Sequence, residues 1–233
     1  MGVFRILRQT GRLYETVFMA ALAMFCLGIS LYRCVYTGTR VFLFLNWNLF
    51  LAFVPWALTS ISAVKPAIKR SPLRAAILLC TWLLFFPNAP YILTDLFHLR
   101  IRSNMPLWYD LLLILTFAWT GLLFGFLSLW DIENILRSRF KPVSVRIISM
   151  LFLFIGSFGV YIGRYLRWNS WDILTDPVEL MYDIGDRFMN PFVYPGSWGM
   201  TLFMGIFLNM LYWSFLLIVS RSRSVPTSSP NKS

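Results

Sequence analysis

Charged residues are scarce in this chain of 233 residues, of which they make up 13% against 58% hydrophobic residues. A water-soluble domain usually carries about 25% charged residues, so this chain has too few polar side chains to cover a globule in water. The mean hydropathy of +0.65 agrees with that reading. The shortage argues against a soluble domain and indicates a protein of the lipid bilayer.

Cysteine and histidine are also few, and each limits the chemistry available. The three cysteines form no C-x-x-C pair and lie in or beside apolar runs, so neither a disulfide framework nor a zinc site follows. His98 is the only histidine, which excludes an all-histidine metal centre. The net charge is +11, but no nucleic-acid-binding motif is present and no nucleic-acid partner is expected. The sequence identifies no cofactor and no protein partner.

Six apolar runs are long enough to cross a bilayer, which takes about 20 residues per helix. The runs are continuous rather than alternating, which predicts helices and argues against a transmembrane barrel. We therefore predict an all-α fold, a polytopic membrane helix bundle forming one membrane domain over residues 1–220, with membrane lipid as its surroundings. Its spans one to six lie at about residues 13–32, 41–63, 75–97, 107–130, 145–165 and 199–220.

The distribution of basic residues predicts the orientation of the bundle. Fourteen Lys and Arg residues flank the spans on the side of the N-terminus and seven on the other side. Short cytoplasmic loops carry the excess of basic residues, so both termini should be cytoplasmic. Residues 221–233 are rich in Ser and Pro and are expected to form a disordered cytoplasmic tail.

One long loop, at about residues 166–198, is expected on the extracytoplasmic side. Within it Asp176, Pro177 and Glu179 form the N-cap, N1 and N3 pattern of a capped helix. Apolar residues then recur at helical spacing opposite acidic ones. We expect an amphipathic helix at about 177–189, lying along the outer surface.

Polar residues gather near the predicted outer ends of spans two to five. Polar groups in hydrocarbon normally face protein or water, so we expect them to form one polar pocket that opens to the extracytoplasmic face. The candidates are Asn46 and Asn48 in span two, Asn88, Tyr91, Asp95 and His98 in span three, Asp110 in span four, Arg164 and Arg167 at the end of span five, and Asn169 and Asp172 after it.

Span three has the most informative pattern of these. Pro87 and Pro90 each remove a backbone donor, which predicts either a broken helix beside a wet cavity or a packing kink in which Asn88 bonds the freed carbonyls. Asp95 and His98 follow as a D-x-x-H pair. That spacing suits acid–base catalysis, a shared metal or a carboxylate that orients an imidazole, and an ion pair at the membrane interface fits it equally.

The other candidates would bind rather than react. Arg164 and Arg167 could hold a phosphate or carboxylate, such as a lipid head group, by bidentate hydrogen bonds, or could belong to an interfacial belt of Trp and Arg. The asparagines would position the ligand, and the remaining acids would support the site. Gly121 and Gly125, with the Gly159 and Gly163 pair, form G-x-x-x-G stripes that predict close packing of spans four and five.

Four segments carry a family resemblance. They are NWNLFLA (46–52), FPNAPYILTDLFHL (86–99), WYDLLL (108–113) and YIGRYLRWNSWDIL (161–174). They resemble the signature blocks of a bacterial multi-pass membrane family known only as domain of unknown function 1361, over about residues 40–215. The resemblance implies a bacterial protein of the cytoplasmic (inner) membrane and implies no reaction.

Three functions therefore stay open. The favoured one is an envelope protein whose outer polar site binds or processes a lipid head group or another anionic compound, with Asp95 and His98 as catalytic candidates if it is an enzyme. The second is a transporter or permease component, but beyond Glu15, Ser128 and Asp131 the cytoplasmic halves of the spans offer little for a polar path. The third is a structural membrane subunit without catalysis.

Overall fold

The computed structural model of the chain describes residue 8 and residues 11–64, 71–100 and 105–223. Within these ranges the regular secondary structure is helical, with no β-strand, and six helical stretches are long and apolar enough to cross a membrane. The all-α polytopic bundle predicted from the sequence is thereby confirmed. The chain is a multi-pass membrane protein.

Span three is divided into three helical pieces. Spans one and two are α1 (Leu13–Thr37) and α2 (Phe44–Val64). Span three consists of α3 (Pro72–Phe85), α4 (Asn88–Tyr91) and a 3-10 segment (Ile92–His98). Spans four and five are α5 (Leu107–Leu136) and α6 (Pro142–Tyr161), and α6 continues into a π-helical turn (Ile162–Leu166).

The loop between spans five and six contains two further helices. These are α7 (Asp172–Thr175) and α8 (Pro177–Met189), and the last span is α9 (Pro195–Arg223). Asp176 stands at the N-cap of α8 and Pro177 at N1, but the Asp176 side chain makes no capping hydrogen bond. Residues 221–223, which the sequence assigned to the tail, belong to α9, and residues 224–233 lie outside the described part of the chain.

The helix α5 lies in the middle of the bundle. In its most apolar stretch 61% of the residues are buried, against 22% in the corresponding stretches of α1 and α9. One face of α5 packs with α2 in an apolar cluster around Leu45 and Phe117, and another packs with α3 and α9 around Trp82 and Leu208. Burial on several sides explains why α5 is apolar around most of its circumference.

Two ion pairs join α1 to α5, one at each end of the crossing. Arg12 donates to Asp131 (2.8 Å), and Arg33 donates from Nε and Nη2 to both carboxylate oxygens of Asp110 (2.6 and 3.0 Å). Between them, the Cys26 thiol lies 3.4 Å from the Thr120 hydroxyl. These contacts fix α1 and α5 in one antiparallel register.

The glycine stripes pack against span three, so our prediction that they join spans four and five to each other was wrong. A Cβ placed on Gly121 would lie 2.8 Å from Ile92, and one placed on Gly159 would lie 2.5 Å from Pro87. Gly125 and Gly163 similarly face Ala89 and Tyr91. The proline break therefore lies between two helices that both lack side chains at the points of contact.

Candidate functional site

The carboxylate of Asp95 joins three spans at one end of the bundle. Its Oδ2 accepts a hydrogen bond from Asn48 Nδ2 in α2 (2.8 Å), and its Oδ1 accepts one from Arg164 Nη2 on the π-helical turn (2.8 Å). Only 1% of the Asp95 side chain is exposed. Three of the residues singled out in the sequence thus meet in a buried network.

Arg164 is held by its neighbours on several sides. Its Nε donates to Thr94 Oγ1 (2.9 Å), and Nη1 lies 3.5 Å from the Tyr91 hydroxyl. The guanidinium carbon lies 4.9 Å from the centroid of the Tyr91 ring, in cation–π range. Because Asp95 neutralises Arg164 and these contacts fix it, the pair anchors span five to span three.

His98 lies beside this anchor without bonding to it. Its Nδ1 is 3.7 Å from Asp95 Oδ1, which is longer than a hydrogen bond. In a 3-10 segment residues three apart eclipse each other, which stacks His98 over Asp95. The His98 side chain is 46% exposed. The two candidates for catalysis therefore differ in kind: Asp95 is occupied by its donors, whereas His98 offers an accessible imidazole.

A polar cavity of about 440 Å³ opens next to the anchor. Arg167 lines it with an exposed side chain, and among the described residues its guanidinium has no hydrogen bond or ion pair. The backbone of Arg167 is left-handed, with φ at 64°, which is unfavourable by about 1–2 kcal/mol for a residue with a Cβ. The remaining lining residues are Tyr91, Phe97, His98, Gly163, Arg164 and Asn169.

A larger cavity of about 580 Å³ adjoins the polar one. The two share Tyr91, Gly163 and Asn169, and the larger one is walled mainly by apolar residues of α3, α6 and α8. At its edge Asn88 Nδ2 donates to the carbonyl of Phe85 (2.9 Å) and to Ser170 Oγ (3.0 Å). Asn88 thus bonds one backbone carbonyl beside the break, and a cavity with mainly apolar walls adjoins it; that the cavity is wet stays a prediction.

Asn46 and Asp110, two of the predicted site residues, line neither cavity, and Asp172 forms hydrogen bonds within its own loop. Both oxygens of Asp110 are bonded by Arg33, and Asn46 Nδ2 donates to Ser30 Oγ (2.9 Å), so both connect α1 to its neighbours. They share the level of the pocket but face another side of the bundle. Asp172 accepts from the backbone N–H of Asn169 (2.6 Å) and so shapes the turn that carries Asn169.

The network also contains residues that the sequence did not single out as binding residues. Thr94 accepts from Arg164 and donates to the carbonyl of Tyr91 (2.6 Å), and Ser170 accepts from Asn88 and donates to the carbonyl of Leu84 (3.0 Å). Thr94 could have been found from its position beside Asp95. For Ser170, membership in a signature block was the one available signal.

Comparison with known proteins gives one match. Neither the curated proteins nor the solved structures provide a match to this chain. The model of a family described as "Protein of unknown function (DUF1361)" matches residues 47–211, a range that contains α3 to α8 and both cavities. Because the match covers more than half of the chain, the protein belongs to the DUF1361 family.

Proposed function

We propose that this protein binds an anionic membrane compound through a phosphate or carboxylate group in the polar cavity. The observation that carries the proposal is the contrast between its two arginines. Arg164 is neutralised by Asp95, whereas Arg167 faces the same cavity without a partner in the described chain. A guanidinium offers donors in a planar fork that matches carboxylate and phosphate oxygens.

The groups around Arg167 support an anionic ligand. The Arg164–Asp95 pair contributes no net charge, so Arg167 gives the cavity an excess of positive charge. The side-chain amide of Asn169 donates one N–H to Asp172 Oδ2 (3.2 Å), and its second N–H can donate to the same ligand. His98 can donate a hydrogen bond or transfer a proton at the cavity wall. Catalysis by His98 would be an addition to binding rather than a condition for it.

The proposal includes an orientation. The excess of basic residues beside spans one, two, four and six favours cytoplasmic termini, which would open the polar cavity to the extracytoplasmic face of a bacterial cytoplasmic membrane. Cysteines introduced at Arg40 and Arg139, in a background where the native cysteines are serine, test this. An impermeant maleimide added to intact cells should label the Arg40→Cys variant, and labelling of only Arg139→Cys would reverse the orientation.

The same geometry supports a transporter function less well. Glu15 and Asp131, the polar candidates of the opposite end, line neither cavity, and both are bonded to Arg12. Within the membrane-crossing part of the bundle, a buried apolar cluster that includes Leu49 and Phe117 lies between α2 and α5. The observations therefore favour a site at one face over a polar path across the bilayer.

The test compares lipid retention by Arg167→Gln and by a control, Arg40→Gln, which removes the same charge at another exposed position of the same end. The full chain is released from nanodiscs of phosphatidylglycerol and phosphatidylcholine, and the retained lipids are identified by native mass spectrometry. Loss of one to two charge-assisted hydrogen bonds, at about 1.5–3 kcal/mol each, predicts that Arg167→Gln lowers phosphatidylglycerol retention about tenfold or more. Equal retention by both variants would refute the proposal.

A further inference from the structure

We infer that the larger, apolar cavity holds a hydrocarbon chain of the same ligand, so that the ligand is an anionic membrane lipid bound by head group and chain together. The inference rests on the proposed function for the head group. Its own observation is that the two cavities lie side by side and share Tyr91, Gly163 and Asn169 as lining residues. A ligand that occupies both would have one charged end and one apolar end.

Gly163 stands where the two cavities meet. A Cβ there would approach the Tyr91 ring to 3.2 Å and the carbonyl of Trp168 to 3.5 Å. Gly163 therefore packs closely against the Tyr91 ring and the turn that leads to Asn169, and a side chain here would displace them. Both cavities are lined by Gly163 and Tyr91, so they adjoin at this contact.

The apolar cavity offers little to a polar ligand. Among the polar side chains that reach it, Asn48 donates to Asp95, Asn88 to Ser170, and Thr201 to the carbonyl of Ser197, so each of these already has a partner within the protein. A polar solute would lose its own hydration against the mainly apolar walls, whereas a hydrocarbon chain requires no partner. The volume of about 580 Å³ falls in the range of small-molecule sites, roughly 300–1,000 Å³.

The bilayer has direct access to this cavity. Trp47 of α2 and Ile155 of α6 both line it and are 54% and 48% exposed, so the cavity is open at these two helices. The helix α8 forms another wall, with Leu180 and Ile184 lining the cavity, whereas Met181 is 63% exposed and does not line it. The occupant can thus enter sideways from the surrounding lipid.

Photochemical labelling tests where the chain lies. The full chain is reconstituted with phosphatidylglycerol that carries a diazirine near the end of one acyl chain, or with phosphatidylcholine labelled in the same way, and the labelled residues are identified by mass spectrometry. We expect phosphatidylglycerol to label Leu84, Phe158 and Ile184 in the cavity. The choline lipid should label mainly lipid-facing positions such as Phe203, which is 79% exposed.

A matched pair of variants separates the cavity from its surroundings. Ile184→Trp places an indole in the cavity, and Met181→Trp places one at an exposed position of α8 that does not line it. Because the indole takes space that the chain needs, Ile184→Trp should lower labelling of Leu84 about tenfold while Met181→Trp leaves it unchanged. Labelling confined to lipid-facing residues, or labelling of Leu84 that is equal in both variants, would overturn the inference.

The two proposals can fail separately. If Arg167→Gln reduces retention of phosphatidylglycerol but the cavity is never labelled, the head-group site stands and the chain lies elsewhere. A different result would refute both proposals: Arg167→Gln has no effect on retention, and both lipids label the cavity equally. In that case the apolar cavity holds ordinary bilayer chains, and the ligand is not selected by charge.

Discussion

The ion pair between Arg33 and Asp110 provides the sharpest test of how the bundle is held together. Both side chains are almost fully buried, at 3% and 1% exposure, and two hydrogen bonds join them. Removing one partner leaves an unpaired charge in a buried position, which costs about 3–5 kcal/mol. Replacing both with apolar residues of similar size is often neutral, because the cost of desolvating the two charges also disappears.

The prediction is therefore strongly non-additive. For a chain of 150–250 residues 1 kcal/mol corresponds to about 2–4 °C in melting temperature, so Arg33→Met and Asp110→Leu should each lower it by about 6–20 °C. The double variant should melt within about 4 °C of the parent protein. Arg40→Met, at an exposed position nearby, is the control and should change little.

Cys26 supplies the assay. This thiol is buried on α1 and lies against Thr120 of α5, so it becomes accessible when α1 separates from the bundle. With Cys34 and Cys80 replaced by serine, a thiol-reactive fluorogenic dye in detergent reports that separation as temperature rises. If the losses in the two single variants simply add in the double variant, the two residues do not act as a pair and the reasoning fails.

Two further predictions concern other parts of the fold. Gly159→Ala should lower the melting temperature clearly more than Gly199→Ala, because a Cβ at Gly159 would lie 2.5 Å from Pro87 while one at Gly199 would meet nothing within 4 Å; a thermal melt of the two variants checks this. Hydrogen bonds, chiefly from Tyr194, lower the pKa of Asp186, so they stabilise the loop between spans five and six above the ordinary carboxyl pKa and lose that effect as pH falls through the lowered value. Measured relative to the intrinsic exchange rate at each pH, the protection of the amides in this loop should fall from about pH 6 to about pH 3, and it should fall less in a Tyr194→Phe variant.

The sequence predicted the fold well because a bilayer leaves few choices. Each backbone group must be satisfied within its own segment, so a continuous apolar run becomes a helix. Helix ends were less predictable. The apolar run of span four ends near residue 130, but α5 continues to Leu136 because Asp131 bonds to Arg12, and Glu133 accepts from Tyr212 (2.9 Å). A partner elsewhere in the fold keeps these acids in the helix, and no local pattern shows it.

The candidate site was predictable by depth but not by direction. Distance from a span end places Asn48, Asp95 and Arg164 at one level, and the structure brings them together. The same reasoning placed Asp110 at that level, but it faces α1 and bonds to Arg33. Depth follows from counting residues along one helix, whereas direction depends on which helices are neighbours. The glycine stripes misled us for the same reason, since a smooth helix surface does not identify what packs against it.

The two ion pairs between α1 and α5 also define a distance across the bundle. Arg33 lies 21 positions after Arg12, and Asp131 lies 21 positions after Asp110. At 1.5 Å per residue the two ion pairs stand about 31 Å apart, close to the thickness of the hydrocarbon core of a typical bilayer. A markedly thicker membrane would draw these charges into the acyl region, and a thinner one would expose apolar flanks, so the helices would have to tilt. The spacing of the two ion pairs therefore favours membranes whose hydrocarbon core is about this thick.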